Sequence, residues 1–285
     1  VTVPPLISAG ELRERLGDPT LVVADVRWAA SPPPTCRELF ASGHVPGAVY
    51  LDLDDDLSDR SDPMRGRHPL PDPVVFVGRL AALGIGRGSE VVCCDDAGGA
   101  IAGRLYWMLR HWLGHEKTRL LDGGLDAWRM SGGAIETGAM NPGAALEPIA
   151  TETRAGSWVE MDEVRAHVER GGVLVDARNP MRYAGEFETI DPVGGHIPGA
   201  VNAFHQENLV TPPGGTRAPV FRSAEELRGR LGALTNGYGT VVSCGSGVTA
   251  CVHVVAFDVA GLPAPALYVG SWSEWCRNGG ENGAS

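Results

Sequence analysis

Long apolar runs are missing from this chain: no stretch approaches the ~20 residues that a membrane-spanning helix requires. The amino terminus, Val1-Thr2-Val3-Pro4-Pro5-Leu6-Ile7, lacks the basic start and apolar core of a secretion signal, so a cytoplasmic location is expected. Positive charge is in short supply, with 24 Lys and Arg against 35 Asp and Glu and a net charge of -11. That balance argues against nucleic acid or an anionic membrane as a general partner. A small anionic substrate would need a local basic site, because the overall field repels it. Cysteines are too few for a disulfide framework: six in 285 residues, with Cys93 and Cys94 adjacent and hardly able to pair with each other. What remains is ordinary globular composition in a chain long enough for two domains. Its 39 glycines and 21 prolines point to many tight connections.

The chain repeats itself. Gly43-His44-Val45-Pro46-Gly47-Ala48-Val49 returns as Gly195-His196-Ile197-Pro198-Gly199-Ala200-Val201. Upstream, Val23-Ala24-Asp25-Val26-Arg27 matches Val175-Asp176-Ala177-Arg178, and downstream Glu90-Val91-Val92-Cys93-Cys94 matches Thr240-Val241-Val242-Ser243-Cys244. Leu121-Asp122-Gly123-Gly124-Leu125-Asp126-Ala127-Trp128 likewise resembles Tyr268-Val269-Gly270-Ser271-Trp272-Ser273-Glu274-Trp275. Landmarks in one order at a near-constant separation of roughly 150 residues mark a tandem duplication. The domains are read as 1–132 and 158–285, joined by a Gly/Pro/Thr/Ala-rich linker over 133–157. Short β-rich runs (21–26, 90–94, 119–121, 173–176, 240–243, 266–269) alternate with helical patterns at 74–83, 100–113, 161–169, 224–231 and 249–260. Such alternation predicts α/β units with parallel sheets. Function then gathers at the carboxyl ends of strands, at Asp25, Cys94, Asp176 and Cys244.

Cys244 leaves its strand into Gly245-Ser246-Gly247-Val248-Thr249, a short turn that opens a helix. Two glycines let successive amides point inward as an anion nest, and the helix adds the positive end of its dipole. Both favour thiolate over thiol and so make a nucleophile. The alternative is a buried, inert core cysteine. A cysteine phosphatase would need an arginine six residues on, where this chain has Ala250 followed by Cys251.

With these residues in view, the chain resembles the tandem-domain rhodanese and 3-mercaptopyruvate sulfurtransferase family over nearly its whole length. Within that family the likeness is greatest to actinobacterial thiosulfate sulfurtransferases. Phe40-Ala41-Ser42-Gly43-His44-Val45-Pro46-Gly47-Ala48 resembles the family's N-terminal signature, and Gly270-Ser271-Trp272-Ser273-Glu274-Trp275 its C-terminal one. Val269 stands where an acidic or small residue is commoner. The loop Cys244–Ala250 has the form associated with mercaptopyruvate enzymes, whereas thiosulfate enzymes more often carry basic residues at the positions of Gly245 and Ser246. The resemblance implies two rhodanese-like domains, each a mainly parallel sheet covered by helices on both faces, working without metal or organic cofactor. It implies that the Cys244 thiolate takes sulfur from a small anionic donor, thiosulfate or 3-mercaptopyruvate. The resulting persulfide would pass it to cyanide or a thiol, with Gly245, Gly247, Val248 and Thr249 shaping the substrate site. A non-enzymatic persulfide carrier or sensor serving a protein partner is the competing reading.

By the same resemblance Arg182 is the donor-binding arginine, while Asp176 orients the backbone and side chains beside it. Mercaptopyruvate enzymes usually carry a second arginine about nine residues later. Here that count lands on Asp191, and no basic residue lies between Arg182 and His196. Ser246 with His68, backed by Asp54 or Asp55, would form a proton relay, which places the site between the two domains; a solvated loop is the alternative. Arg178, mirrored by Arg27, and His44 with His196 are read as structural, since both repeats carry them. His111 and His115 lack a third ligand, and Gly84-Ile85-Gly86-Arg87-Gly88 follows a helix rather than a strand, so neither is a metal or dinucleotide motif. The first repeat's loop, Cys94-Asp95-Asp96-Ala97-Gly98-Gly99-Ala100, is acidic and expected to be inactive, and a one-residue shift would put Asp95 at the cysteine position. Cys251 is expected to be buried, and Cys36 and Cys276 carry no signal.

Overall fold

The apolar runs fold into two five-stranded parallel sheets, one in each of two units. The computed structural model describes residues 3–29, 33–211 and 219–283. Unit 1 comprises Val1–Ser58, Pro71–Arg154 and Val210–Phe221; unit 2 comprises Asp59–Leu70, Ala155–Leu209 and Arg222–Ser285. In unit 1, β1 (Leu6–Ile7), β2 (Leu21–Arg27), β3 (Val49–Asp52), β4 (Glu90–Cys94) and β5 (Thr118–Leu121) stand in the order β1-β5-β4-β2-β3. In unit 2, β6 (Trp158–Val159), β7 (Val173–Asp176), β8 (Ala200–Asn202), β11 (Thr240–Ser243) and β12 (Ala266–Tyr268) take the equivalent order β6-β12-β11-β7-β8. The short strands β9 (Leu209–Val210) and β10 (Val220–Phe221) pair separately as a ribbon. Every pairing in both sheets is parallel, as helix-linked strands require.

Unit 1 carries helices α1 (Ala9–Arg15), α2 (Cys36–Ser42), α3 (Pro73–Ala82), α4 (Ala102–Trp107) and α5 (Gly124–Met130). Unit 2 carries α6 (Met161–Glu169), α7 (Pro180–Tyr183), α8 (Ala224–Leu231), α9 (Cys251–Ala260) and α10 (Ser271–Trp275). The helix expected over 100–113 is α4 continued by a wider turn, in which Leu113 N–H donates to Met108 O (3.0 Å). The helix expected from Thr249 begins at Cys251, because 248–250 form tighter turns: Cys251 N–H donates to Val248 O (3.0 Å). Helices α1, α2, α5, α7 and α10 span at most seven residues, too short to show a helical period. They are legible instead by their caps, such as the reciprocal Thr35–Glu38 pair that opens α2.

Residues 133–157 do not hang free as a linker. Glu136 and His44 exchange backbone hydrogen bonds (3.0 Å each), Leu146 N–H donates to Ala81 O (3.1 Å), and Arg154 N–H donates to Trp112 O (2.8 Å). A stretch without apolar periodicity can still dock through its backbone groups and isolated side chains such as buried Ile149. The folded units also differ from the contiguous division 1–132 and 158–285, since Asp59–Leu70 belongs to unit 2 and Val210–Phe221 to unit 1.

Helix α9 is buried on nearly every side, as befits a helix in the interior of its unit. Among its residues His253 donates through Nε2 to Ala203 O (2.7 Å), while Nδ1 accepts from Asn208 Nδ2 (3.0 Å). Burial pushes this imidazole down to about 4. Below the ordinary histidine range the unfolded chain takes a proton that the folded chain refuses, so stability is lost as pH falls from about 6.5 toward 4. From pH 7 to pH 5 His253 alone should cost roughly 2 kcal/mol. Urea unfolding at the two pH values should show His253→Gln losing less stability on acidification than the wild type. Equal losses in both proteins would rule the imidazole out as the cause.

Candidate active site

The end of β11 delivers Cys244 into a cradle made almost wholly of backbone. Burial raises the thiol, but the Thr249 hydroxyl and the amides of Ser246, Ala250 and Val248 outweigh it and hold Cys244 below the ordinary cysteine value. The other cysteines with a resolved shift go the opposite way. Burial pushes Cys36 up to about 11 and raises Cys93, Cys94 and Cys276 as well. The difference is one of donors, since Cys244 is itself only 2% exposed.

The loop is pinned from beneath. Cys244 N–H donates to Ser271 Oγ (3.1 Å), Trp272 N–H donates to Cys244 O (3.1 Å), and Ser273 N–H donates to Gly245 O (2.9 Å). Ser271 has φ 52, the one positive φ at a non-glycine among the described residues. That strained conformation is supported by its hydroxyl donating to Tyr268 O (2.8 Å). Gly247 has φ 71, and a side chain there would run into the carbonyl oxygen of Val269. The turn therefore needs glycine for both conformation and space.

Ser246 and His68 meet. Ser246 Oγ lies 2.8 Å from His68 Nδ1, and both residues are buried. His68 falls within the boundaries 1–132, yet its segment Asp59–Leu70 is part of unit 2 together with Cys244. Asp54 and Asp55 fall in unit 1, where their amides donate to Asp52 Oδ1 (2.8 and 3.3 Å).

Arg182, on α7, lies beside the loop. Its Nε and Nη2 donate to Glu188 (2.9 to 3.0 Å), and Nη2 also reaches Asp191 (3.3 Å). Asp176 plays the orienting part: its Oδ1 accepts from Arg178 N (2.9 Å) and Nε (3.0 Å), and the pair is buried. Sequence reasoning missed Arg67, which forms an ion pair with Asp191 and projects toward Gly245. Its position next to His68 was the available signal.

Rhodanese-like domains match residues 8–131 and 160–278. The chain belongs to the rhodanese-like family. It is 41% identical over 281 residues to a probable 3-mercaptopyruvate sulfurtransferase of Pseudomonas aeruginosa, covering 95% of this chain and 94% of the relative. It is 39% identical to a putative thiosulfate sulfurtransferase of Mycobacterium tuberculosis, covering 95% of this chain and 93% of the relative. Among solved structures, the 3-mercaptopyruvate sulfotransferase of Escherichia coli superposes with a TM-score of 0.77 at 30% identity, covering 95% of this chain and 99% of that one. These likenesses make the chain a sulfurtransferase with two tandem rhodanese-like domains.

Strand register aligns the two rhodanese-like loops. Asp25 pairs with Cys94 on β4, and its counterpart Asp176 pairs with Ser243 on β11. Cys94 therefore corresponds to Ser243, and Asp95 stands where unit 2 has Cys244. The register thus replaces the direct match of Cys94 with Cys244 by the one-residue shift that puts Asp95 at the cysteine position. The Asp95 carboxylate fills its own nest, accepting from the amides of Ala97 (3.0 Å), Gly99 (2.8 Å), Ile101 (2.9 Å) and Ala102 (2.8 Å).

The other duplicated residues do duplicated structural work in the rhodanese-like units. His44 Nδ1 bonds Phe40 O and His196 Nδ1 bonds Tyr183 O, both at 2.9 Å, with each imidazole stacked on that aromatic ring at 3.8 Å. Arg27 and Arg178 pair with Asp25 and Asp176 and donate to Gly43 O (3.2 Å) and Gly195 O (2.6 Å), tying a strand end to the Gly-His turn. His115 Nε2 bonds Ser89 O (2.8 Å). No cluster of His, Cys, Asp and Glu able to hold a metal occurs among the described residues, and no helix there is long and apolar enough to cross a membrane.

Proposed function

We propose that this protein moves sulfur from 3-mercaptopyruvate to a thiol or cyanide acceptor through a persulfide on Cys244. The Ser246–His68 hydrogen bond carries the choice of donor. With 3-mercaptopyruvate, the Cys244 thiolate forms an S–S bond to the donor sulfur as the C–S bond breaks. That electron pair passes to carbon, and the donor's thiol proton must end on the same carbon to give pyruvate and the persulfide anion. With thiosulfate, sulfite leaves with its electron pair and no proton moves. A hydroxyl and an imidazole in contact beside the nucleophile serve the first reaction and are idle in the second.

The loop amides that lower the thiol would then hold the persulfide anion, in the manner of an oxyanion hole. Arg182 would receive the donor's carboxylate, and Gly245, Gly247, Val248 and Thr249 would supply the floor of the site. The acceptor, through its thiolate sulfur or the carbon of cyanide, then attacks the outer sulfur of the persulfide, and the S–S bond breaks to release the Cys244 thiolate. Unit 1, with Asp95 in the cysteine position, would take no part in the chemistry.

Steady-state turnover of each donor with cyanide tests this reading. Ser246→Ala keeps the backbone amide, and so should lower kcat with 3-mercaptopyruvate by about 10²-fold while leaving thiosulfate turnover essentially unchanged. Turnover of thiosulfate alone by the wild type, or an equal loss with both donors, would overturn it.

A further inference from the structure

The proposed donor presents a charged carboxylate, and the whole protein is strongly negative. We infer that Arg67 is a second anion-binding residue of this site, facing the donor beside Arg182. The inference rests on the sulfurtransferase reading of Cys244 and adds to it a residue from outside the motifs.

The geometry centres on Gly245, the residue after the nucleophile. A β-carbon placed there would lie 2.6 Å from Arg67 Nη2 and 3.6 Å from both Arg182 Nη1 and Nη2. Two guanidinium groups therefore converge where the side chain of residue 245 would project, and that position is glycine. Both are anchored by one buried carboxylate: Asp191 Oδ1 takes Arg67 Nη1, and Asp191 Oδ2 takes Arg182 Nη2 (3.3 Å). The backbone of Arg67 is fixed as well, since its amide donates to Ser273 Oγ (3.1 Å). Ser273 in turn donates from its own amide to Gly245 O (2.9 Å). Nucleophile loop, arginine and anchor thus share one short chain of hydrogen bonds.

Among the described residues, neither Arg67 Nη2 nor Arg182 Nη1 is committed to a protein acceptor. Nη1 and the amide of Arg67 serve structure, which leaves a held, oriented N–H edge available to an anion. A planar fork held this way loses little entropy on binding a carboxylate. Residue 191 thus offers no positive charge itself, but it holds one in place.

Arg67→Gln should raise KM for 3-mercaptopyruvate roughly 10- to 100-fold with a much smaller effect on kcat. Removing Arg67 also exposes the charge of Asp191, so the deciding variant is Arg67→Gln combined with Asp191→Asn, in which the two charges leave together. A raised KM in the double variant supports direct binding; recovery to the wild-type KM means that Arg67 only neutralised Asp191 and overturns the inference. A second readout needs no turnover. Alkylation of Cys244 by anionic iodoacetate relative to neutral iodoacetamide, followed by peptide mass spectrometry, should fall several-fold in the double variant. An unchanged ratio would also overturn it. If the wild type turns over neither donor, the sulfurtransferase reading fails first, and the alkylation ratio still decides whether Arg67 faces the nucleophile.

Discussion

Cys244→Ser should abolish sulfur transfer, lowering kcat/KM by at least about 10⁴-fold with either donor. A hydroxyl in the same cradle would remain protonated near neutral pH, because amides that stabilise a thiolate cannot bring an alcohol into that range. Nor could an oxygen carry the transferred atom as a persulfide. The variant should keep its fold, since the bonds from the Cys244 backbone to Ser271 and Trp272 do not involve the sulfur. Steady-state assays should be paired with intact-mass measurement after donor treatment without acceptor. The wild type should gain one sulfur atom on the Cys244 peptide and the variant none. Substantial turnover by the variant, or sulfur found on another cysteine, would remove Cys244 from the mechanism.

The second large effect lies in unit 1 and concerns stability. Asp95→Ala should destabilise that unit by about 3–5 kcal/mol, since it strips the acceptor from four amides that all point at one carboxylate. The cradle emptied in this way is built for an anion. Acetate at high concentration should therefore recover part of the loss, whereas the same ionic strength of a larger anion should recover less. Chemical unfolding in the two salts measures both effects. A loss below about 1 kcal/mol, or indifference to acetate, would mean that the nest does not depend on its carboxylate.

Much of this molecule was legible because duplication repeats its information. Strands 90–94, 173–176 and 240–243 agree with the observed β4, β7 and β11, since strands covered on both faces read as continuous apolar runs. Cys244 and its glycine turn were legible because few loops present a cysteine, two glycines and a helix start together. Arg67 was not. Its contact with Gly245 depends on how a loop between elements folds back, and neither periodicity nor local spacing encodes that. The correspondence of Asp95 with Cys244 was legible only as a one-residue shift, which the strand register selects. Aligning cysteine with cysteine is natural in a string of letters, but only hydrogen-bond register counts residues from a common strand end. The docking of residues within 133–157 was hidden for a third reason: it uses backbone groups, which every sequence possesses.

The segment Asp59–Leu70 gives the duplication an unexpected consequence. The ancestral gene was copied at one boundary, but the folded units are divided at others, so the hereditary module and the physical module are not the same object. A fragment cut at the repeat boundary, 158–285, would retain the Cys244 loop, Arg182 and Asp191 yet lack both Arg67 and His68. It would carry Ser246 without the imidazole that bonds it, and Asp191 without the Arg67 guanidinium. Twelve residues encoded within the first repeat thus belong, once folded, to the second.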